Sequence, residues 1–273
     1  MTFQTVLISG GSSGIGLDLA RAYASDGANI VLLARNQQKL DLAVEACKGS
    51  SIRDGQKIVA YSVDVSDAES LTRCTAEVLS AVDTPSLLIL SAGIVQSIRF
   101  MDQTDEEFEQ ILRTNVIGAR AVVRAFLPAM IQQKSGQICF VGSLGGLIST
   151  YGYSGYGASK FAILGMAGAL RQELHEFKIG VSVLCPPEVD TPMTDDESAH
   201  ILKQTRFIKD AGGTLPVAVV TREARKGINN NRAIIVPGKM AKLSYLQARF
   251  MPRVFGLFMQ LLVTMGARFG RGR

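Results

Sequence analysis

The sequence predicts an α/β protein with a doubly wound, mostly parallel sheet of seven strands, and three observations carry that prediction. Short β-branched apolar runs alternate with longer helical patterns along most of the chain. The first run leads straight into the glycine-rich turn Ser9-Gly10-Gly11-Ser12-Ser13-Gly14-Ile15-Gly16. No internal repeat and no Pro- or Ser-rich linker interrupts the alternation before about Pro237. Strands joined through helices run parallel, and a parallel sheet needs helices on both faces.

Taken in order, strands are expected at 6–9, 30–34, 58–62, 87–90, 137–141, 181–184 and 233–236. A helix opens near Ile15. Two later helices announce their starts as capping boxes, Ser66-Asp67-Ala68-Glu69 and Thr104-Asp105-Glu106-Glu107, in which hydroxyl and carboxylate satisfy free helical N–H groups. Helical patterns run over roughly 108–133 and 156–177, with apolar residues on more than one face. Residues 1–236 read as one domain and 237–273 as a C-terminal amphipathic appendage. Asp195-Asp196-Glu197 reads as a solvated, mobile loop.

With 47% hydrophobic and 19% charged residues, the composition is that of a globular chain able to bury a large core. The net charge of +5 comes without a recognition motif, so no nucleic-acid partner is expected. Its basic residues gather late, at Lys239, Lys242, Arg249, Arg253, Arg268, Arg271 and Arg273. Cys47, Cys74, Cys139 and Cys185 form no Cys-x-x-Cys pair and read as reduced thiols, which points to a cytoplasmic protein. His175 and His200 lie in no ligand spacing, so no metal is expected. Met1-Thr2-Phe3-Gln4 runs directly into the first strand, and neither a signal peptide nor a bilayer-spanning apolar run is expected.

The glycine turn sits where a strand gives way to a helix. Gly10, Gly14 and Gly16 let the backbone approach a pyrophosphate, and the free N–H groups of the helix start favour its charge. Ser12, Ser13 and Ile15 belong to the same cradle. The second strand ends in Ala34-Arg35, where an acidic residue would bond the ribose of NAD. A guanidinium there suits a 2′-phosphate, so NADP(H) is the expected coenzyme, with Ser12 or Ser13 as further donors. Asp64-Val65, after the third strand, is placed to hold the adenine edge.

Tyr156 and Lys160 stand four apart on a helical pattern and share a face. A nearby ammonium favours the phenolate and is expected to lower the tyrosine's pKa. Ser143, at the end of the fifth strand, is placed to hydrogen-bond a substrate oxygen.

Over about residues 6–191 the chain resembles the short-chain dehydrogenase/reductase family, whose sheet is Rossmann-type. The Gly10/Gly14/Gly16 turn, Asn115, Ser143, Tyr156 and Lys160 fall where that family's functional residues fall. The resemblance implies Tyr156 as proton donor, Ser143 orienting the carbonyl oxygen, and Lys160 binding the nicotinamide ribose while acidifying Tyr156. It implies Asn115 supporting a water relay behind Lys160, and hydride passing from coenzyme to carbonyl carbon. Where the family often has Asn-Asn-Ala-Gly, this chain has Leu90-Ser91-Ala92-Gly93; Ala92 and Gly93 keep the close approach to adenosine. The helices at 108–133 and 156–177 pair across subunits in the family, which implies a homo-oligomer, dimer or tetramer.

After the sixth strand, Cys185-Pro186-Pro187-Glu188-Val189-Asp190-Thr191-Pro192 departs from the commoner Pro-Gly, with Pro186, Val189 and Thr191 expected on the nicotinamide side. This segment, the stretch from Tyr151 to Ala162 and the stretch from Leu261 to Gly266 are similar to the 3-ketodihydrosphingosine reductase group. The resemblance implies a lipid-like ketone as substrate. A steroid, retinoid or 3-oxoacyl thioester would fit the same machinery, and a dinucleotide-sensing scaffold without turnover is the alternative of another class. The apolar run from Val254 to Met265, flanked by Arg249, Arg253, Arg268 and Arg271, reads as a lid or as a peripheral membrane contact on the cytoplasmic face.

Overall fold

In a computed structural model, residues 3–270 are described, and seven strands form the central sheet. They are β1 (Thr5–Ser9), β2 (Asn29–Ala34), β3 (Ile58–Ser62), β4 (Leu87–Leu90), β5 (Gly136–Val141), β6 (Ile179–Leu184) and β9 (Ile234–Ile235). Their order across the sheet is β3-β2-β1-β4-β5-β6-β9, and every neighbouring pair is parallel. Each expected strand is present, shifted by at most two residues at an end. Two short strands, β7 (Glu188–Val189) and β8 (Thr214–Leu215), pair separately beside the sheet.

The strand sequences are apolar on both sides because both faces are covered. Leu7, Val31, Leu33, Leu88, Ile138 and Phe140 point to one core. There they meet α3 (Ala68–Ala81), α5 (Ala119–Gln133) and α6 (Ser154–Glu173) through Val78, Phe126 and Ile163. Val6, Ile8, Ile30, Leu32, Leu87 and Ile89 point to the other. That side is closed by α1 (Gly14–Ala24), α2 (Gln37–Lys48) and α9 (Val217–Asn229) through Leu19, Leu40 and Ile228. Full burial of each such side chain is worth about 1.5–3 kcal/mol, so the alternation within each strand fixes its register.

Helix starts follow the expected chemistry with one correction. Thr104 caps α4 (Asp105–Leu112) in a complete capping box with Glu107. At α3 the cap is Asp67, whose carboxylate accepts from Glu69 N and Ser70 N, and not Ser66. Ser66 instead donates through its N–H and hydroxyl to Asp64 Oδ1, at 2.8 and 2.7 Å, because the shorter Asx contact is made first. Between α4 and α5 the chain makes a π-helical turn, Arg113–Gly118. The run from Asp105 to Gln133 is long and apolar enough to cross a membrane by length and composition, which the sequence reading did not anticipate. Here α5 packs on the sheet through Val122, Val123, Phe126 and Met130. On the face where the resemblance places a partner subunit, Ile117 and Phe161 are exposed.

The chain from Pro192 onward is more ordered than a loop. α7 (Pro192–Ser198) and α8 (Lys203–Gly212) fold over the carboxyl end of the sheet. The appendage forms α10 (Lys239–Phe250) and α11 (Pro252–Phe269), and α11 packs along α8, with Gly266 set against Gln204 and Phe207. Of the basic flank, Arg271 and Arg273 lie outside the described residues.

Candidate active site

In a parallel sheet, ligands bind beyond the carboxyl ends of the strands, at the point where the strand order reverses. Here that point lies between β1 and β4. A cavity of about 650 Å³ opens there, running from the glycine turn to Tyr156 and on beneath α11. All of the expected site residues border it except Gly16 and Asn115, which stand behind its wall.

Gly10 has φ 69°, and a Cβ there would lie 2.6 Å from Ala92 N. A Cβ on Gly16 would collide with the Gly10 carbonyl. Turn, helix and the β4 loop therefore close on one another only without side chains. Ser13 caps α1 in position but its side chain makes no capping hydrogen bond, so the first-turn N–H groups face the cavity undressed. These features fit a dinucleotide's pyrophosphate.

At the adenosine end, Arg35 is exposed, 3.9 Å from the Asp64 carboxylate. Lys39, in the first turn of α2, lines the same end and was missed in the sequence. Its signal was available: a lysine three residues after the α2 cap Asn36 and four after Arg35. Asp64 Oδ1 is already committed to Ser66, which leaves its other oxygen for Arg35 or a ligand.

At the chemical end, α6 brings Tyr156 and Lys160 to one wall, with Lys160 Nζ 5.6 Å from the Tyr156 ring centre. The ammonium donates to Val141 O at 2.9 Å. Ser143 caps a short 3₁₀ turn, its Oγ accepting from Gly145 N at 3.0 Å. The expected lowering of the Tyr156 pKa is corrected. Burial dominates and pushes the phenol up to about 12; the Ser143 hydroxyl pulls it down, while the Glu197 carboxylate and the neighbouring Cys185 push it further up. Burial also brings Lys160 down to about 8. Both shifts have one physical cause, the loss of water around a charged form.

Asn115 sits in the π-helical turn and is buried. Its Nδ2 donates to Ile94 O and to Ser159 Oγ, both at 3.0 Å, and its Oδ1 accepts from Ile94 N at 2.8 Å. The side chain thus braces the β4 loop against α6, the support that the Leu90-Ser91-Ala92-Gly93 segment lacks. Nearby, Leu144 N donates to Pro186 O at 2.7 Å, and Thr194 Oγ1 donates to Val189 O at 2.7 Å, which fixes the segment carrying Thr191.

The reading of Asp195-Asp196-Glu197 as a solvated loop is corrected for its third member. Glu197 turns inward from α7 and is 8% exposed. It accepts from the Tyr153 hydroxyl and, at 2.6 Å, from Lys209 Nζ. Tyr153 lies beside Tyr156, ring centres 5.2 Å apart. No local signal marks Glu197, because its partners come from α8 and from the start of α6.

The profile of the short chain dehydrogenase family matches residues 4–201. The chain belongs to that family. This short-chain dehydrogenase is an oxidoreductase that uses a nicotinamide dinucleotide. It is 34% identical over 270 residues to the 3-ketodihydrosphingosine reductase of Bos taurus, covering 96% of this chain and 80% of the bovine one. It is 35% identical over 212 residues to the 3-dehydrosphinganine reductase of Danio rerio, covering 76% of this chain and 63% of the relative. Among solved structures, a short-chain dehydrogenase from Streptomyces avermitilis superposes with a TM-score of 0.80 at 25% identity, covering 97% of this chain and 98% of that one.

Proposed function

We propose that this short-chain dehydrogenase reduces a long-chain 3-keto sphingoid base, 3-ketodihydrosphingosine, to dihydrosphingosine with NADPH. The observation that carries the reading is the continuity of the cavity. Tyr156 and Lys160 stand at one part of it, and Phe255, Phe258, Met259 and Leu262 of α11 wall another. An acyl-length chain has an apolar surface to lie on while its carbonyl meets Tyr156. The similarity to the bovine and zebrafish reductases supports the same substrate. A nicotinamide coenzyme, when bound, supplies the hydride. Tyr156 gives a proton to the carbonyl oxygen, Ser143 orients that oxygen, and Lys160 stabilises the phenolate left behind. Asn115 acts as a positioning residue through the β4 loop and Ser159.

The substrate reading is tested by coenzyme oxidation in detergent micelles across a chain-length series. Each buried methylene is worth about 0.8 kcal/mol, so removing four should lower kcat/KM roughly two hundredfold. Equal activity on short soluble ketones contradicts it.

Arg35 and Lys39 support NADP(H), since two cations at the α2 start suit a 2′-phosphate. In Arg35→Asp, NADPH affinity is expected to fall about tenfold to a hundredfold while NADH affinity changes by less than about threefold. Parallel loss for both coenzymes, read by calorimetry, assigns Arg35 no part in the choice.

The outer face of α11 supports a peripheral membrane contact. Val254, Leu257, Leu261 and Met265 recur at helical spacing and are exposed, with Arg249, Arg253 and Arg268 beside them. This face adjoins the cavity wall, which suits a substrate drawn from lipid. Leu257→Glu/Leu261→Glu is expected to release the protein from phosphatidylserine vesicles in co-sedimentation without altering coenzyme affinity. Unchanged sedimentation removes the membrane reading.

A further inference from the structure

The cavity wall beside Tyr156 carries a set of charges that proton and hydride transfer do not require. Glu188 and Glu197 face it from either side of α7's first turn, both side chains about 5% exposed or less. Lys209 Nζ lies 2.6 Å from Glu188 Oε2 and 2.6 Å from Glu197 Oε2. Arg206 divides itself between Glu188 at 2.9 Å and Asp210 at 2.8 Å. Asp210 is itself 65% exposed, so within the wall Glu188 and Glu197 share Lys209, and Arg206 completes the set. Glu188 Oε2 is wholly buried and receives no well-directed hydrogen bond, even with Lys209 close by. Glu188 Oε1 is also held by Thr214, which ties that residue to β8. Glu197 is the less committed of the two, with Oε1 accepting only from Tyr153.

A buried carboxylate on a cavity wall, sharing its cation with a second carboxylate, is a favourable place for a further cation that arrives with the ligand. A 3-keto sphingoid base brings one, since its ammonium sits on the carbon next to the carbonyl. Glu197 lines the same cavity as Tyr156 and is bonded to Tyr153, whose ring centre lies 5.2 Å from that of Tyr156. Its carboxylate therefore neighbours the place where a carbonyl at Tyr156 would carry its adjacent carbon. Resting on the substrate reading above, we propose that Glu197 receives the substrate ammonium and that the pocket thereby selects amino ketones over neutral ketones. Tyr153 is its positioning partner, held neutral by burial and by Glu197 itself.

The test compares 3-ketodihydrosphingosine with its N-acetyl derivative in wild type and Glu197→Gln, with calorimetric binding of short-chain dihydrosphingosine in the presence of NADP+. The wild type should prefer the free amine. In Glu197→Gln, KM for the amine should rise tenfold or more with kcat nearly unchanged, amine binding should weaken in step, and the N-acetyl compound should be unaffected. Glu197→Asp, which keeps the charge, should retain the preference and guards against a folding defect in the amide. Equal losses on both substrates, or no change in amine KM and binding, overturn the role of Glu197. A wild type that reduces neutral ketones but not the amino ketone overturns the substrate reading itself, and the two failures are told apart in the wild-type arm.

Discussion

Tyr156→Phe should bind coenzyme as the wild type does and lose about 10²–10⁴-fold in kcat, the range a positioned general acid supplies. The substitution removes one hydroxyl and keeps the ring that packs on Tyr153. Burial places the phenol at about 12, so Tyr156 is protonated throughout the neutral range and is already the acid that ketone reduction needs. The alkoxide that hydride addition would otherwise leave is more basic than a phenolate, so the transfer runs downhill even from a weak acid. A phenylalanine variant that keeps more than a tenth of the wild-type kcat contradicts this role.

Lys160 governs the second large effect. Its folded-state pKa is lowered from 10.5 to about 8 by burial, so it is a cation below about pH 8 and neutral above. The cation is the form that stabilises a developing phenolate. The rate of reduction should therefore fall as pH rises through about 8, with the slope of one ionisation. Lys160→Met should lie about 10²–10³-fold lower and lose that limb. The stability consequence has the opposite sense. Between about pH 8 and 10.5 the unfolded chain binds more protons at this position than the folded one, so the residue's contribution to stability rises with pH across that window. Below it the buried ammonium is a standing cost, and Lys160→Met should melt no lower than wild type at pH 7. Thermal unfolding and a pH–rate profile check the two halves; a rate flat to pH 9.5 contradicts the first.

Much of this was legible in the residues. The inner strands are continuous apolar runs because helices cover both faces, and such runs stand out in a sequence. The glycine turn was legible because backbone approaches at Gly10 and Gly16 forbid a Cβ and Gly14 has φ 53°, and Tyr156 and Lys160 because residues four apart on a helix share a face. What stayed hidden depends on distance. Glu197 lies among three consecutive acids that read as solvated, and only Lys209 and Tyr153, brought from other elements, turn it inward. The π-helical turn carries Asn115, whose bonds to Ile94 and Ser159 no local pattern announces. β7 and β8 are two residues each, too short to leave a period. The Tyr156 shift went against expectation because residue spacing conveys a neighbouring charge but not the water removed around it.

The most direct test of the account follows the hydride itself. NADPH deuterated at either face of nicotinamide C4 is supplied with 3-ketodihydrosphingosine, and the product is read by mass spectrometry. The account predicts one deuterium on the carbinol carbon from one isotopomer and none from the other. Dihydrosphingosine without label from either, or no product at all, contradicts it.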